Sequence, residues 1–486
     1  MSRKCSAFAF LLLCVISRLA AAAPLNDIQV ENALPGTTSW QLTSSATGRE
    51  IEGYASATSV QAGGSIKLYV NTSDPMFSFE VYRMGWYNGA GGRLVFASVL
   101  IPGVKQAMPV PDEFGMMECK WTPSWTLAVP AVWTSGVYLV KLKGSTSGRQ
   151  SYIIFVVRNK RSASLLFVSS VTTYQAYNNW GGRSLYDFNS GGYAARKVSF
   201  NRPYGQAGSA IGMGAGDFIE PPVNRAIGWE YNMVRFLERE GYDVAYITSV
   251  DVHEDGAYLQ RTDGILSVGH DEYWSWDMRA NITAARDKGV NLAFFSANVC
   301  YWQIRFEADS AKVADRTIVC YKLNAPAEDP QAKTQYITTL WRRNPALPPE
   351  EALVGVMYAA DPVSSDITIY DPNHWALAKT GLKKGDILPG VLGYEVDITY
   401  GSHPANTELI GHSWFTCPSD LAPGTVCPSS GGFYSDMVSY QARSGATVFA
   451  TGSIQWSWGL DNFRTPIAVS PAVQQITRNV LARLQQ

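Results

Sequence analysis

Charge is scarce in this sequence. Only 17% of its 486 residues are Asp, Glu, Lys or Arg, and the formal net charge is -1. So even a balance gives no electrostatic footing for nucleic acid or an anionic membrane surface. Histidine is rarer still, with five in the chain. Cys-x-x-Cys and paired Cys-His spacings are absent, so no structural zinc site is expected. There is no Gly-x-Ser-x-Gly elbow, Gly-x-Gly-x-x-Gly loop or P-loop, which argues against a hydrolase serine elbow, a dinucleotide fold and a phosphate cradle. Long apolar runs are missing too. Ala7 to Ile16 falls short of the about 20 residues that span a bilayer, and no later run qualifies.

That short run has another reading. Arg3 and Lys4 precede it, and small residues from Ala20 to Ala23 follow it. This is the grammar of a secretory signal peptide over 1–22, so a secreted protein is expected. Cys5 and Cys14 would leave with the signal. Cys119, Cys300, Cys320, Cys417 and Cys427 remain. Two bridges and one free thiol are expected, Cys417–Cys427 first and Cys300–Cys320 second. Asn71-Thr72-Ser73 and Asn281-Ile282-Thr283 are glycosylation sequons.

What the chain does have is aromatic residues, 12% of the total, with 15 Trp and 25 Tyr. That profile belongs to an ordered protein of sizeable cores. Residues 27–157 read as all-β, with β-rich runs at 65–70, 77–82, 136–142 and 152–157 between Gly, Pro, Asn and Ser. An immunoglobulin-like β-sandwich is the expected architecture. Its aromatic stretch Tyr82-Arg83-Met84-Gly85-Trp86-Tyr87 reads as packing against the next domain, with a carbohydrate-facing surface as the alternative. From 163 to 486 strands and helices alternate. About five parallel strands with crossover helices predict a flavodoxin/glutamine-amidotransferase-like doubly wound α/β domain, with a long insertion at about 300–440 over the carboxyl edge of the sheet.

The stretch Gly264 to Trp276, GILSVGHDEYWSW, joins a buried strand to a helix through His270, Asp271 and Glu272. Acidic residues at a helix start are often caps. The ends of α/β strands are also where ligands bind. Three other strand ends deliver polar or aromatic residues: Thr172 to Asp187, Ser296-Ala297-Asn298, and Thr451 to Trp456. Their agreement favours a site. No cysteine stands after the central strand, so a thiol nucleophile is disfavoured. Carboxylates, phenols and one imidazole remain, a set that suits hard cations.

TYQAYNNWGGRSLYDF, WEYNMVRFLEREGYDV, GHDEYWS, GYEVD and ATGSIQWSWGLD together resemble the large (beta) subunit family of N,N-dimethylformamidases over about 160–486. The resemblance implies an amidohydrolase with a mononuclear Fe(III) held by two tyrosines and a glutamate. The glutamate matches Glu272. The tyrosines match Tyr177 and Tyr186, with Tyr174 and Tyr193 as rivals. It also implies a neighbouring role for His270, a pocket position for Asn298, and a general base at Glu395, with Glu408 as its rival. The expected chemistry is metal-assisted hydrolysis of a small amide. A separate small subunit or a homo-oligomer is a possible partner. His253, His374, His403 and His412 are expected to be structural. Two other readings stay open: a secreted binding protein, such as a glycan binder, that kept the fold, and a carbohydrate-active enzyme using Glu272 and Glu395 as paired carboxylates.

Overall fold

The computed structural model describes residues 24–205, 213–219, 228–429 and 431–486. The expected signal peptide, Cys5 and Cys14 lie outside them. The fold is β-rich, with several sheets and a few helices. Residues 51–158 carry a six-stranded sheet, built around strands 76–84, 136–144 and 150–158, and a three-stranded sheet of strands 51–55, 65–72 and 125–128.

A second region is organised by a seven-stranded sheet. Its strands are β1 (Leu165–Ser169), β2 (Val244–Thr248), β3 (Gly264–His270), β4 (Asn291–Ala297), β7 (Glu408–Thr416), β8 (Gly432–Gln441) and β9 (Thr447–Ala450). Between β4 and β7 lie β5 (Met357–Thr368) and β6 (Ile387–Ile398), an antiparallel pair outside this sheet. The spatial order is β2-β1-β3-β4-β9-β8-β7. The first five are mutually parallel, and β8 and β7 extend the sheet in antiparallel fashion.

The parallel strands are continuous apolar runs because both faces are covered. Leu165, Phe167, Leu266, Phe295 and Phe449 face one core, shared with α2 (Tyr231–Arg239) and α4 (Pro471–Leu484). Leu166, Val168, Ile265, Phe294 and Val448 face the other, under α3 (Trp276–Asp287). The helix expected after the GHDE motif starts as foreseen, but its cap is Ser275, whose side chain accepts from Met278 N. The motif's acids are therefore not the cap.

The insertion differs from expectation. Instead of lying wholly over the carboxyl edge, it contributes β7 and β8 to the sheet. The β5–β6 pair reaches the strand ends, as do Tyr301, Trp302 and Lys322. There Ser453 Oγ, just past β9, accepts from Gly393 N at 3.0 Å, fixing β6 to the sheet.

The cysteine expectation is half corrected. Cys417–Cys427 is bridged, but Cys300, Cys320 and Cys119 are free and buried. Cys300 packs in the apolar core under α3, while the Cys320 thiol faces the carbonyls of Gln303 and Thr338. Both sequon asparagines spend their amide nitrogens inside the fold, Asn71 on Glu52 and Asn281 on the Val252 and His253 carbonyls.

The aromatic strand does pack against the second region. Arg83 and Glu238, both fully buried, meet through two hydrogen bonds of 2.8 and 2.9 Å, tying the amino-terminal sheet to α2. Trp86 lies under the Arg235 guanidinium at 4.8 Å. Removing one member strands the other charge, so Arg83→Met lowers unfolding free energy by about 3–5 kcal/mol in denaturant titration. Arg83→Met combined with Glu238→Met recovers much of that loss. A single variant as stable as wild type would refute the clamp.

Candidate active site

The site forms where β1, β3 and β4 end. β1 runs into α1 (Val171–Tyr177), whose last residue is Tyr177. A loop then returns Tyr186 to the same spot. Arg202 fixes this return by donating to the carbonyls of Asn178, Trp180 and Arg183 at 2.7–3.1 Å. Asn189 Nδ2 adds a bond to Tyr177 O at 3.1 Å.

β3 supplies His270 and leads into Glu272. Its turn needs Gly269, which has φ +72°, and a Cβ there would lie 2.2 Å from Trp229 Cβ. No other residue meets both conditions without strain. Glu272 is then held from both sides. Its N–H donates to Thr173 Oγ1 at 3.0 Å, and its carbonyl accepts from Tyr301 N and Trp302 N. Asp271 turns away, accepting from Ser267 Oγ at 2.8 Å.

The oxygens converge. Tyr177 Oη donates to Glu272 Oε2 at 2.8 Å. Tyr186 Oη lies 2.9 Å from Glu272 Oε1, 3.1 Å from Oε2 and 2.8 Å from Tyr177 Oη. Tyr273 Oη donates to Tyr186 Oη at 2.6 Å. On the other side, His270 Nε2 sits 3.2 Å from Glu272 Oε2 and 3.0 Å from Glu395 Oε2, aligned for a good hydrogen bond with neither. Glu395, on β6, also accepts from Asn298 Nδ2 at 2.7 Å. Asn298 follows β4 with φ 53°, a left-handed conformation Asn tolerates, and its N–H donates to Asp397 Oδ1 at 2.8 Å.

Electrostatics follow burial. The phenols of Tyr177 and Tyr186 are pushed well above their ordinary range, by burial first and then by the Glu272 charge. Burial also pushes the Glu272 carboxyl up, but the His270 imidazole and Lys322 outweigh it and hold the group below its usual range. Burial works against a charged His270, yet Glu395 and Glu272 hold its proton well above the usual pH. Lys322 lies over the Tyr186 ring at 3.0 Å, and burial lowers it to about 8.

The residues matched by resemblance therefore meet: Tyr177, Tyr186, Glu272, His270, Glu395 and Asn298. The rivals lie elsewhere. Tyr174 is buried in a separate ring contact with Tyr204, Tyr193 is 69% exposed, and Glu408 pairs with His374 at 3.0 Å. The remaining histidines sit outside the cluster: His412 pairs with Asp436, His253 contacts Ser275, and His403 faces the Pro404 carbonyl. Sequence reasoning missed Tyr273 and Lys322. Tyr273 adjoins the motif and was visible there, whereas Lys322 carries no local mark.

Could this cluster hold a cation? Among the described residues no group of three or more His, Cys, Asp and Glu is placed to hold a metal. A metal here would rest on phenol oxygens plus Glu272. Oxygens at adjacent corners of an octahedron with bonds of about 2.0–2.1 Å lie about 2.9 Å apart, the spacing seen between Tyr177, Tyr186 and Glu272. The two phenols also bring only two protons to these crowded approaches. The donor set fits a hard ion, and such an ion reverses the pKa elevation of the phenols.

Three oxygen donors at strand ends, with a second carboxylate across an imidazole, define a site suited to a hard cation. The chain belongs to the N,N-dimethylformamidase beta subunit-like, C-terminal family, whose model matches residues 78–469. No curated protein matches it. Among solved structures it is compared with Bacteroides uniformis beta-glucuronidase 2 covalently bound to cyclophellitol-6-carboxylate aziridine. The identity is 9%, covering 50% of this chain and 36% of that one, and the TM-score of 0.13 carries no argument. The chain thus spans little more than a third of that enzyme's length. Among the described residues no helix is long and apolar enough to cross a membrane.

Behind the site, Glu230 accepts from Ser170 N, and burial raises its carboxyl to about 8 from 4.5. Its native state binds a proton that the unfolded chain releases earlier. Its contribution is therefore complete below about pH 4.5 and is lost as pH rises through about 8. Melting temperatures of the metal-free protein will fall across that window, and Glu230→Gln will flatten the fall. An unchanged slope in the variant would refute the assignment.

Proposed function

We propose that this chain is a secreted, iron-dependent amidohydrolase that cleaves the C–N bond of a small amide. The observation that carries the reading is the convergence of Tyr177, Tyr186 and Glu272 oxygens within 2.8–3.1 Å of one another, beside Glu395 across His270. Family membership supports the hydrolase class. In this reading residues 1–22 are a signal, 27–157 an immunoglobulin-like sandwich, and 163–486 a doubly wound domain of the flavodoxin and glutamine-amidotransferase kind. The β2-β1-β3-β4-β9 order of the parallel strands supports the last of these. The family's description as beta subunit-like is consistent with a small partner subunit or an oligomer.

Tyr177, Tyr186 and Glu272 would hold Fe(III). When bound, the ion supplies Lewis acidity that polarises an amide carbonyl and acidifies water, a contribution of several kcal/mol. The protein's own groups do the rest. Glu395, whose Oε2 is engaged by Asn298 and His270, accepts the water proton on its other oxygen, Oε1, and delivers it to the departing amine. Asn298 fixes that carboxylate at 2.7 Å and keeps it aimed. His270 spans Glu395 and Glu272, so its charge steadies both carboxylates at once. Lys322, over the Tyr186 ring, favours the ionised phenol.

Two other readings fare less well. A glycosidase needs room between its carboxylates for the scissile oxygen, and here one imidazole nitrogen contacts both. A binding module has no use for two buried phenols whose hydroxyls converge on a buried carboxylate. Iron content and amide hydrolysis test the proposal together. Glu272→Ala will lose the iron, while Glu395→Gln keeps it and loses about 10²–10⁴-fold in kcat. Full iron content in Glu272→Ala would overturn the assignment.

A further inference from the structure

Acidic residues gather on the β5 side of Glu395. Asp361 and Asp420 are register partners on β5 and the short strand Asp420–Leu421. Like charges directly opposite across two strands repel. The strongest charges acting on Asp361 are those of Glu395, Asp420 and Glu272, and the Tyr358 hydroxyl bonds to it. Burial first, then Glu395 and Asp420, push its carboxyl up to about 7. Tyr358 feels the same group, Glu395, Asp361 and Asp420, and its ring packs edge-on to Tyr301 at 5.0 Å.

Strand register sets Asp361 between Asp420 and Glu395: Asp420 is its partner on one side, and on the other Ala360 and Val363, which bracket it, pair with Val396 and Tyr394, which bracket Glu395. Asp420 is exposed, Asp361 is half-buried and Glu395 is 5% exposed. His270 lies between Glu395 and Glu272, and the other nearby cations act elsewhere. Arg342, over the Tyr301 ring at 5.2 Å, pairs with Glu350 at 3.1 Å, and Lys322 interacts with Glu272, Cys320 and Asp187.

An independent observation lies at the inner end. Asn298 is 3% exposed, and its Nδ2 is spent on Glu395, but its Oδ1 is buried with no hydrogen-bond partner. A buried acceptor left unpaired is costly, and it calls for a donor from a ligand. An N,N-dialkyl amide has no N–H to give. A substrate with a primary or secondary ammonium group supplies both a positive charge for the carboxylates and an N–H for Asn298.

We propose that the site selects amides carrying a cationic amine, with Asp361 and Asp420 as the residues that read the charge. The inference rests on the amide-hydrolase reading of the same site, and it names the substrate class.

The test is binding, so that it does not depend on turnover. N-(aminoethyl)acetamide and N-(hydroxyethyl)acetamide differ in an ammonium against a hydroxyl. Each is titrated calorimetrically into the full chain at neutral pH. The cationic amide is expected to bind at least about tenfold tighter. The Asp361→Asn, Asp420→Asn double variant will lose that preference. The single Asp420→Asn change, on an exposed side chain, will reduce it without threatening the fold. Equal binding of the pair, no binding of either, or a preference that survives the double variant would overturn the proposal. A cation preference in a protein that hydrolyses no amide supports the charge selection and counts against the amidase reading. Hydrolysis of neutral amides with no cation preference does the reverse.

Discussion

A carboxylate withdrawn from water must be answered by its surroundings, and Glu272, 2% exposed, is the group this part of the structure is built to answer. Two phenols reach it from the segment after β1. An imidazole reaches it from its own strand. A lysine reaches it from beyond β4. None of these is its sequence neighbour except His270. Their meeting depends on the β1-β3-β4 adjacency, which brings three strand ends to one edge, and on Gly269, whose left-handed turn against Trp229 aims His270 and Glu272 at that edge.

Much of this could be read beforehand, and the physical reason is local. Strands β1 to β4 are apolar runs bounded by polar residues, so the alternation of strands and helices from 163 onward was legible. The convergence at the strand ends was also legible, because parallel order places those ends together whatever lies between. What escaped were contacts set by tertiary closure. Lys322 reaches Tyr186 from the first residue of a short 3-10 turn, in a left-handed conformation (φ 54°) that sequence does not announce. The β7 and β8 strands look like ordinary insertion, since nothing in alternating residues says which sheet they will join. Cys300–Cys320 is the second bridge the sequence suggests, but Cys300 is packed in an apolar core and Cys320 faces carbonyls.

The choice among tyrosines shows where resemblance adds to physics. Tyr174 and Tyr177 share one short helix, three residues apart, and composition gives no reason to prefer either. The helix ends at Tyr177, at the mouth of the strand edge, while Tyr174 is turned inward to Tyr204. Position along the helix decides between two chemically identical groups.

The division of labour between the sheet and the β5–β6 pair has a consequence of its own. Tyr177, Tyr186, Glu272, His270 and Asn298 all follow strands of the parallel sheet, whereas Glu395, Asp361 and Tyr358 ride on the added hairpin, fastened there by Ser453. Substitutions on the hairpin away from Glu395 therefore alter one flank of the cluster while Tyr177, Tyr186 and Glu272 keep a scaffold of their own.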